Sequence, residues 1–159
     1  VVFMGRGTKQ LFTAWTPMTD VPLEMGGLMA LEDSHRNEEL IRTYGSLDVD
    51  VYCTNYDDAP EIESGVKRWQ DHVQGGAYSD DAFAVQDELG GRWLSTDYDA
   101  GDVLIFSMYL MHASMDNHTN RFRISTDSRY QLASEPIDSR WVGEKPPGHG
   151  PGGKIGTIC

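Results

Sequence analysis

The sequence predicts a mainly β domain, an antiparallel sandwich or barrel with a few short helices. Several short apolar runs alternate with turn-forming residues, and the helical patterns between them are brief. The composition is globular, because 39% of the 159 residues are hydrophobic and 10% are aromatic. A chain of this length fits one domain and can bury a sizeable core.

The first part of the chain predicts two strands and a helix. Residues 10–17, QLFTAWTP, are rich in aromatic and β-branched side chains and end at a proline, which is typical of a strand. The apolar run at 26–32, GGLMALE, predicts a second strand. Asp33 or Ser34 would then cap a short helix that is closed by Gly45.

The middle of the chain predicts one more strand, a long polar excursion and a helix. Residues 47–54, LDVDVYCT, alternate with period two, which favours a strand. Residues 55–76 are polar and predict an irregular, partly helical segment. In SDDAFAVQDELGG, residues 79–91, we expect a helix with Ser79 as its cap, acids in its first turn and Gly90 as its terminator.

The last part predicts strands and then an irregular tail. The turn Asp-Ala-Gly-Asp at 99–102 separates two strands, and RFRISTDSRYQ at 121–131 predicts another. Residues 103–106 form a continuous apolar run, as expected for a strand buried on both faces. The tail is rich in Pro and Gly. We therefore predict a core at 1–135 and a Pro/Gly-rich C-terminal arm at 136–159.

Charge and composition exclude several classes of partner. The net charge of −12 provides no basic stripe for a nucleic acid or an anionic membrane. No apolar run approaches the roughly 20 residues of a membrane span, and no secretory signal is visible, so we expect a cytoplasmic protein. Cys53 and Cys159 are too few for a disulfide framework or a thiolate metal site. A small-molecule substrate is the expected partner, and the oligomeric state is left open.

Polar side chains on the last predicted strands could form a pocket for a small acid. Alternation along a strand places His112 and Ser114 on one face. In the next strand Arg121 and Arg123 share a face, opposite the apolar side chains beside them. A buried arginine needs an anionic partner, and its planar fork suits a carboxylate. On the pattern alone, a structural histidine and solvent-facing arginines remain the simpler interpretation.

The stretch GDVLIFSMYLMHASMDNHTNRFRISTDSRY, residues 101–130, resembles the C-terminal core of the phytanoyl-CoA dioxygenase family. The matching pieces are Gly-Asp with an apolar run ending in Phe, then His112-Ala113-Ser114, then an arginine-rich strand that ends in Arg-Tyr. Residues 13–36, TAWTPMTDVPLEMGGLMALEDSHR, are similar to the family's Trp-x-Pro strand and the hairpin after it. The resemblance runs from about Phe3 to Gln131. It implies a double-stranded β-helix (a jelly roll, cupin-like) that is incomplete at the N-terminus.

The family consists of non-haem oxygenases that depend on Fe(II) and 2-oxoglutarate, and the resemblance implies roles for five residues. His112 matches the distal histidine that binds iron. Arg123 matches the arginine that grips the far carboxylate of 2-oxoglutarate, and Ser114 matches the hydroxyl that assists it. Trp15 matches the aromatic side chain that lines the co-substrate pocket. Arg121 is a second arginine in the same strand, where one is enough for the carboxylate.

The resemblance also implies two iron ligands that the sequence does not contain. Iron of this type is held by two histidines and one carboxylate. In the family, the other two ligands form a His-x-Asp or His-x-Glu motif that precedes the Trp-x-Pro strand. None of the five histidines here is followed two residues later by an acid. We expect the motif to precede Val1 in the parent gene, so that this chain is an N-terminally truncated fragment and doubtful as an enzyme by itself.

The implied function of the parent is hydroxylation of a small organic substrate, with oxidative decarboxylation of 2-oxoglutarate to succinate and carbon dioxide. The alternative is a non-catalytic jelly-roll module that binds a ligand and has lost iron. A cupin-type metal isomerase would need more converging histidines than His112. The substrate, and whether the triad has the small residue of a halogenase in place of its carboxylate, cannot be inferred from this chain.

Two further motifs are assigned no role in the chemistry. His35, in the Asp-Ser-His-Arg hairpin, is a landmark of the family that we interpret as structural. Asn117-His118-Thr119 fits a glycosylation sequon, which we interpret as a chance match in the absence of a secretory signal.

Overall fold

The computed structural model describes residues 3–47, 77–146 and 148. This part of the chain is mainly β, with few and short helices, as the sequence predicted. The strands are β1 (Phe12–Pro17), β2 (Leu28–Leu31), β3 (Trp93–Leu94), β4 (Leu104–Ser107), β5 (His112–Ser114) and β6 (Ser125–Tyr130), and the helices are α1 (Glu38–Arg42) and α2 (Ala82–Leu89). Single 3-10 turns occur at Leu23–Met25, Ser34–Arg36, Tyr44–Ser46 and Ser139–Trp141. No helix within these ranges is long and apolar enough to cross a membrane.

Contacts within the chain define two compact units. The first unit carries all six strands and comprises Gln10–Asn37 and Asp81–Leu132. The second comprises the described parts of Val1–Lys9, Glu38–Asp80 and Ala133–Cys159. Most of the strand predicted at 47–54 and the excursion predicted at 55–76 lie outside the described residues, as does most of the Pro/Gly-rich tail.

The first unit is built from two three-stranded antiparallel sheets. The first sheet has the order β4-β1-β6, and the second has the order β3-β2-β5. Phe12 of β1 pairs with both Ser107 and Tyr130, which sets the register of the first sheet. In the second sheet, Ala30 pairs with His112. β5 and β6 are edge strands, so each has one backbone edge without a strand partner in the part of the chain that is described.

The core of the first unit takes side chains from both sheets. Trp15 and Phe106 come from the first sheet and Leu28 comes from the second. Tyr98 links them, because its ring packs edge-on against Trp15 at 5.0 Å between centroids and its hydroxyl donates to the Leu28 carbonyl at 2.9 Å. Burying a large apolar side chain contributes about 1.5–3 kcal/mol. The cluster is completed by Val21 and Met25.

The apolar run at 103–106 is buried on one face, and the prediction of burial on both faces was wrong. Phe106 is buried and Leu104 packs against the core, whereas Val103 and Ile105 are 56% and 65% exposed. Side chains alternate along β4, so only every second residue faces the core. Among the described residues, no second layer covers the other face at these positions.

Two predicted strands have different boundaries in the structure. The strand expected to run through His112 is interrupted, because β4 ends at Ser107 and β5 begins at His112 in the other sheet. The chain thus passes from one sheet to the other at residues 108–111. The last strand begins at Ser125, so Arg123 precedes β6 instead of lying within it.

The helix predicted from Asp33 to Gly45 is divided into a 3-10 turn, α1 and a second 3-10 turn. Ser34 does not cap a helix, because its hydroxyl donates to the Leu31 carbonyl at 2.8 Å and accepts from the Met111 N–H at 2.9 Å. Asp33 precedes the first 3-10 turn, but its side chain makes no capping hydrogen bond. The Ser34 hydroxyl instead ties the end of β2 to the residue before β5.

The helix predicted at 79–91 is confirmed as α2, with a different cap. The Asp81 carboxylate accepts hydrogen bonds from the N–H groups of Phe83 and Ala84, so Asp81 and not Ser79 is the N-cap. The acids expected in the first turn lie before the helix. Gly90 ends the helix with a φ of 73°, as predicted.

A buried ion pair, Asp138–Arg140, lies in the second unit. The two side chains are 5% and 3% exposed, and the carboxylate also accepts from the Arg6 N–H at 3.1 Å. Burial works to raise the pKa of Asp138, but hydrogen bonds from the Arg140 side chain and from the N–H groups of Arg6 and Arg140 lower it below its ordinary value of 3.8. The predicted division between residues 1–135 and 136–159 stays a prediction.

We expect Asp138→Ala to destabilise the protein by about 3–5 kcal/mol at pH 7, because it leaves the buried Arg140 charge uncompensated. Since the pKa of Asp138 is lowered on folding, its contribution is full above about pH 3.8 and is lost as the pH falls through the folded value. Urea unfolding at pH 7 and in acid measures both effects. Glu39→Ala is the control, since its ion pair with Arg42 is exposed to solvent and should contribute little to stability. Equal losses in the two variants would contradict this account.

Candidate functional site

The structure brings together three of the residues predicted from the sequence. The Arg123 Nη2 donates to the Ser114 Oγ at 3.2 Å, and the guanidinium carbon lies 5.9 Å from the centroid of the Trp15 ring. Trp15 is buried on β1 of the first sheet, and Ser114 lies on β5 of the second. Arg123, which is half-buried, therefore contacts both sheets of the unit. Such a cation over an aromatic ring is stabilised by about 0.5–2 kcal/mol.

The Gly26 carbonyl holds the other end of the guanidinium, accepting a hydrogen bond from Arg123 Nη1 at 2.6 Å. Gly26 has a φ of 77°, in the left-handed region that favours glycine. A Cβ at this position would lie 2.3 Å from the Met115 carbonyl oxygen and 2.7 Å from that of Asp116. Glycine therefore permits the close approach of backbones that places this carbonyl beside Arg123.

Arg123 has no acidic partner among the described residues. Its hydrogen bonds to Gly26 and Ser114 use two of the five N–H donors of an arginine. A half-buried guanidinium without a carboxylate partner in the described ranges is chemically suited to bind the carboxylate of a ligand. Other arginines in these ranges form ion pairs with Asp or Glu, namely Arg36, Arg42, Arg92, Arg129 and Arg140.

His112 lies two residues before Ser114 on the same strand, with the tautomer that a metal ligand needs. Its Nδ1 is 2.9 Å from the Leu110 carbonyl oxygen, which can only accept, so the proton is on Nδ1 and the Nε2 lone pair is free. The Phe106 ring packs against the imidazole at 4.7 Å between centroids. Although part of the ring is open to solvent, desolvation lowers the pKa of His112 below its ordinary value of 6.5 and favours the neutral form.

The described residues do not form a complete metal site. Within residues 3–47 and 77–146, no group of three or more His, Cys, Asp or Glu side chains is placed to hold a metal ion. The Nε2 of His112 fits one position of a two-histidine, one-carboxylate site for Fe(II). The other two ligands of such a site would have to come from outside these ranges.

Arg121 is placed apart from the cluster of Arg123, Ser114 and Trp15. Its side chain is exposed, and its backbone is bonded to the side chains of Asn117 and Thr119. Its predicted role in binding the co-substrate stays a prediction, as do the roles predicted for the other four residues. His35 is exposed on the 3-10 turn Ser34–Arg36.

Two contributors to the site were missed in the sequence. Gly26 was taken only as the boundary of a strand, although a Gly-Gly pair beside an apolar run can also indicate a close approach of backbones. Asn117 was taken as part of a chance sequon, although Asn and Thr side chains often form hydrogen bonds with nearby backbone groups and stabilise turns.

A family model, phytanoyl-CoA dioxygenase (PhyH), matches residues 3–125. The match covers well over half of the chain and includes Trp15, His112, Ser114 and Arg123, so the chain belongs to the phytanoyl-CoA dioxygenase family, as its resemblance indicated. Members of this family are oxygenases that typically depend on Fe(II) and 2-oxoglutarate. No curated protein matches the sequence.

We expect Gly26→Ala to destabilise the protein by at least about 2–3 kcal/mol, because it combines a strained φ with a collision between backbone and Cβ. Gly101→Ala is the matched control, since Gly101 has a φ of 94° but open space around its Cβ position. The control should lose only the strain, about 1–2 kcal/mol. Urea unfolding of the two variants measures the difference, and equal losses would show that the close approach is not a constraint.

Proposed function

We propose that the protein is a non-haem Fe(II)- and 2-oxoglutarate-dependent dioxygenase that hydroxylates a small organic substrate. The observation that carries this proposal is the environment of Arg123: a half-buried guanidinium, oriented by Ser114 and Gly26, with no acidic partner among the described residues. Membership of the phytanoyl-CoA dioxygenase family supports it. The two antiparallel sheets around one core support a double-stranded β-helix as the complete fold.

Arg123 is the anchor for 2-oxoglutarate in this proposal. Its guanidinium pairs with the far carboxylate of the co-substrate through the N–H donors that Gly26 and Ser114 leave free. The Ser114 hydroxyl, 3.2 Å from the guanidinium, adds a polar group beside the same carboxylate. Trp15 excludes water from one side of the guanidinium, which strengthens the electrostatic attraction.

His112 is the iron ligand of this chain in the proposal, through its free Nε2. Bound iron supplies the oxidative chemistry, and the protein supplies the geometry. β5 is an edge strand, so a further strand pairing along its free edge would bring its side chains next to His112. We place the other two ligands, a His-x-Asp or His-x-Glu pair, in a part of the protein outside the printed sequence, since the printed sequence holds no such pair.

A non-catalytic module that binds a small acid on the same scaffold is the second candidate. The observation that favours it is the single metal ligand in the described ranges, beside a complete anchor for a carboxylate. The two candidates share Arg123 and differ at His112. An assay of metal binding therefore separates them.

We expect Arg123→Ala to weaken 2-oxoglutarate binding at least about 100-fold, because each lost charge-assisted hydrogen bond is worth about 1.5–3 kcal/mol. Arg123→Lys should restore little of the affinity, since a lysine lacks the planar fork. Calorimetric titration of the protein expressed from its complete gene measures the Kd. Arg121→Ala is the control and should stay within about twofold of wild type, since its side chain is exposed and outside the cluster. Unchanged affinity in Arg123→Ala would remove the anchor from the proposal.

We expect anaerobic addition of Fe(II) and 2-oxoglutarate to the same full-length protein to produce a weak visible charge-transfer absorbance. His112→Ala should abolish it, because the Nε2 ligand is lost. His35→Ala is the control and should keep the absorbance. Wild-type protein that binds 2-oxoglutarate but develops no absorbance with Fe(II) would favour the non-catalytic module.

A further inference from the structure

The turn between β5 and Arg123 is closed by the side chains of Asn117 and Thr119. The Asn117 Oδ1 accepts from the Thr119 N–H at 2.9 Å and from its hydroxyl at 2.8 Å. The Thr119 Oγ1 accepts in turn from the Arg121 N–H at 3.2 Å, and the Asn117 Nδ2 donates to the Arg121 carbonyl at 2.8 Å. Both backbone polar groups of Arg121, two residues before Arg123, are therefore held by side chains.

The closed turn also lies against the loop that receives Arg123. The His118 N–H donates to the Glu24 carbonyl at 2.8 Å, and the Met115 N–H donates to the Gly27 carbonyl at 3.1 Å. Gly26 lies between Glu24 and Gly27 in the sequence, and its carbonyl accepts a hydrogen bond from Arg123. The turn and the guanidinium thus bind to neighbouring carbonyls of one short loop.

The residues on either side of Arg123 contribute little packing that would hold its backbone in place. Phe122 and Ile124, on either side of it, are 90% and 53% exposed. The backbone is fixed at Arg121 by the turn and at Ile124, whose carbonyl accepts from the Met18 N–H at 2.8 Å. The position of the Arg123 backbone, from which the side chain reaches Ser114 and Gly26, is therefore set largely by these two restraints.

We propose that Asn117 and Thr119 are positioning residues for Arg123: by fixing the backbone of Arg121, they direct the guanidinium between Ser114 and Gly26, where it anchors 2-oxoglutarate. This inference rests on the proposed function. Without the turn, the guanidinium would be free to leave the cluster and pair with one of the many acids of the chain. The triplet Asn117-His118-Thr119 then has a structural meaning of its own, because the Asn117 amide is engaged with the backbone.

The test is 2-oxoglutarate affinity, measured by calorimetry with Mn(II) in place of Fe(II) on the protein expressed from its complete gene. Asn117→Ala should weaken binding about tenfold, which corresponds to about 1.4 kcal/mol. Thr119→Val removes the hydroxyl at nearly constant shape and should weaken binding similarly. Thr119→Ser keeps the hydroxyl, and we expect it to stay within about twofold of wild type. If Asn117→Ala does not fold, the two Thr119 variants decide.

Oxalate is the second ligand, because it chelates the metal and lacks the far carboxylate that Arg123 would bind. Its affinity should be unchanged in Asn117→Ala and Thr119→Val. Equal weakening of oxalate and 2-oxoglutarate would indicate a general loss of structure and overturn the positioning role, as would wild-type affinity for 2-oxoglutarate in both variants. Wild-type protein that binds no 2-oxoglutarate would overturn the proposed function and, with it, this inference.

Discussion

The close approach of the Gly26 backbone to the segment after β5 is the constraint on which the candidate site depends. It is possible because Gly26 has a positive φ and no Cβ, with the Met115 carbonyl oxygen only 2.3 Å from where that Cβ would be. The approach turns the Gly26 carbonyl toward Arg123, which it reaches at 2.6 Å. Ser114 then holds the same guanidinium from the strand that precedes the segment. This backbone contact thus places one of the two hydrogen-bond acceptors of the Arg123 guanidinium.

The lack of an acidic partner for Arg123 among the described residues follows from the order of residues along the chain. Arg36, Arg42, Arg129 and Arg140 each pair with an acid within three residues of themselves. No acid occurs within three residues of Arg123 on either side. The next one along the chain, Asp127, already pairs with Arg129. In a chain with 25 acidic residues, this local gap is consistent with a half-buried guanidinium that has no carboxylate partner in the described part of the chain.

Local patterns predicted much of the fold, and long-range contacts account for what they missed. The aromatic and β-branched run of β1 and the Gly90 terminator of α2 are local signals, and both were confirmed. The proximity of Ser114 and Arg123 was expected from the alternation of side chains along strands together with the resemblance to the phytanoyl-CoA dioxygenase family. The break in the helix after Asp33 was not predictable, because the Ser34 hydroxyl is bonded to Met111, which is distant in the sequence. The crossing at residues 108–111 contains no Gly or Pro that would have indicated a turn.

The two halves of the candidate site depend on different parts of the molecule. The carboxylate anchor is built entirely from described residues: Arg123, its two hydrogen-bond partners and the Trp15 ring. The proposed metal half would have His112 as one ligand, on an edge strand whose outer backbone has no partner in the described ranges. A strand that satisfied this edge would bury its polar groups and place new side chains beside His112 at the same time. The strand that completes the sheet of β5 would then also complete the proposed metal site. The contacts of Arg123 with Ser114 and Gly26 form without such a strand.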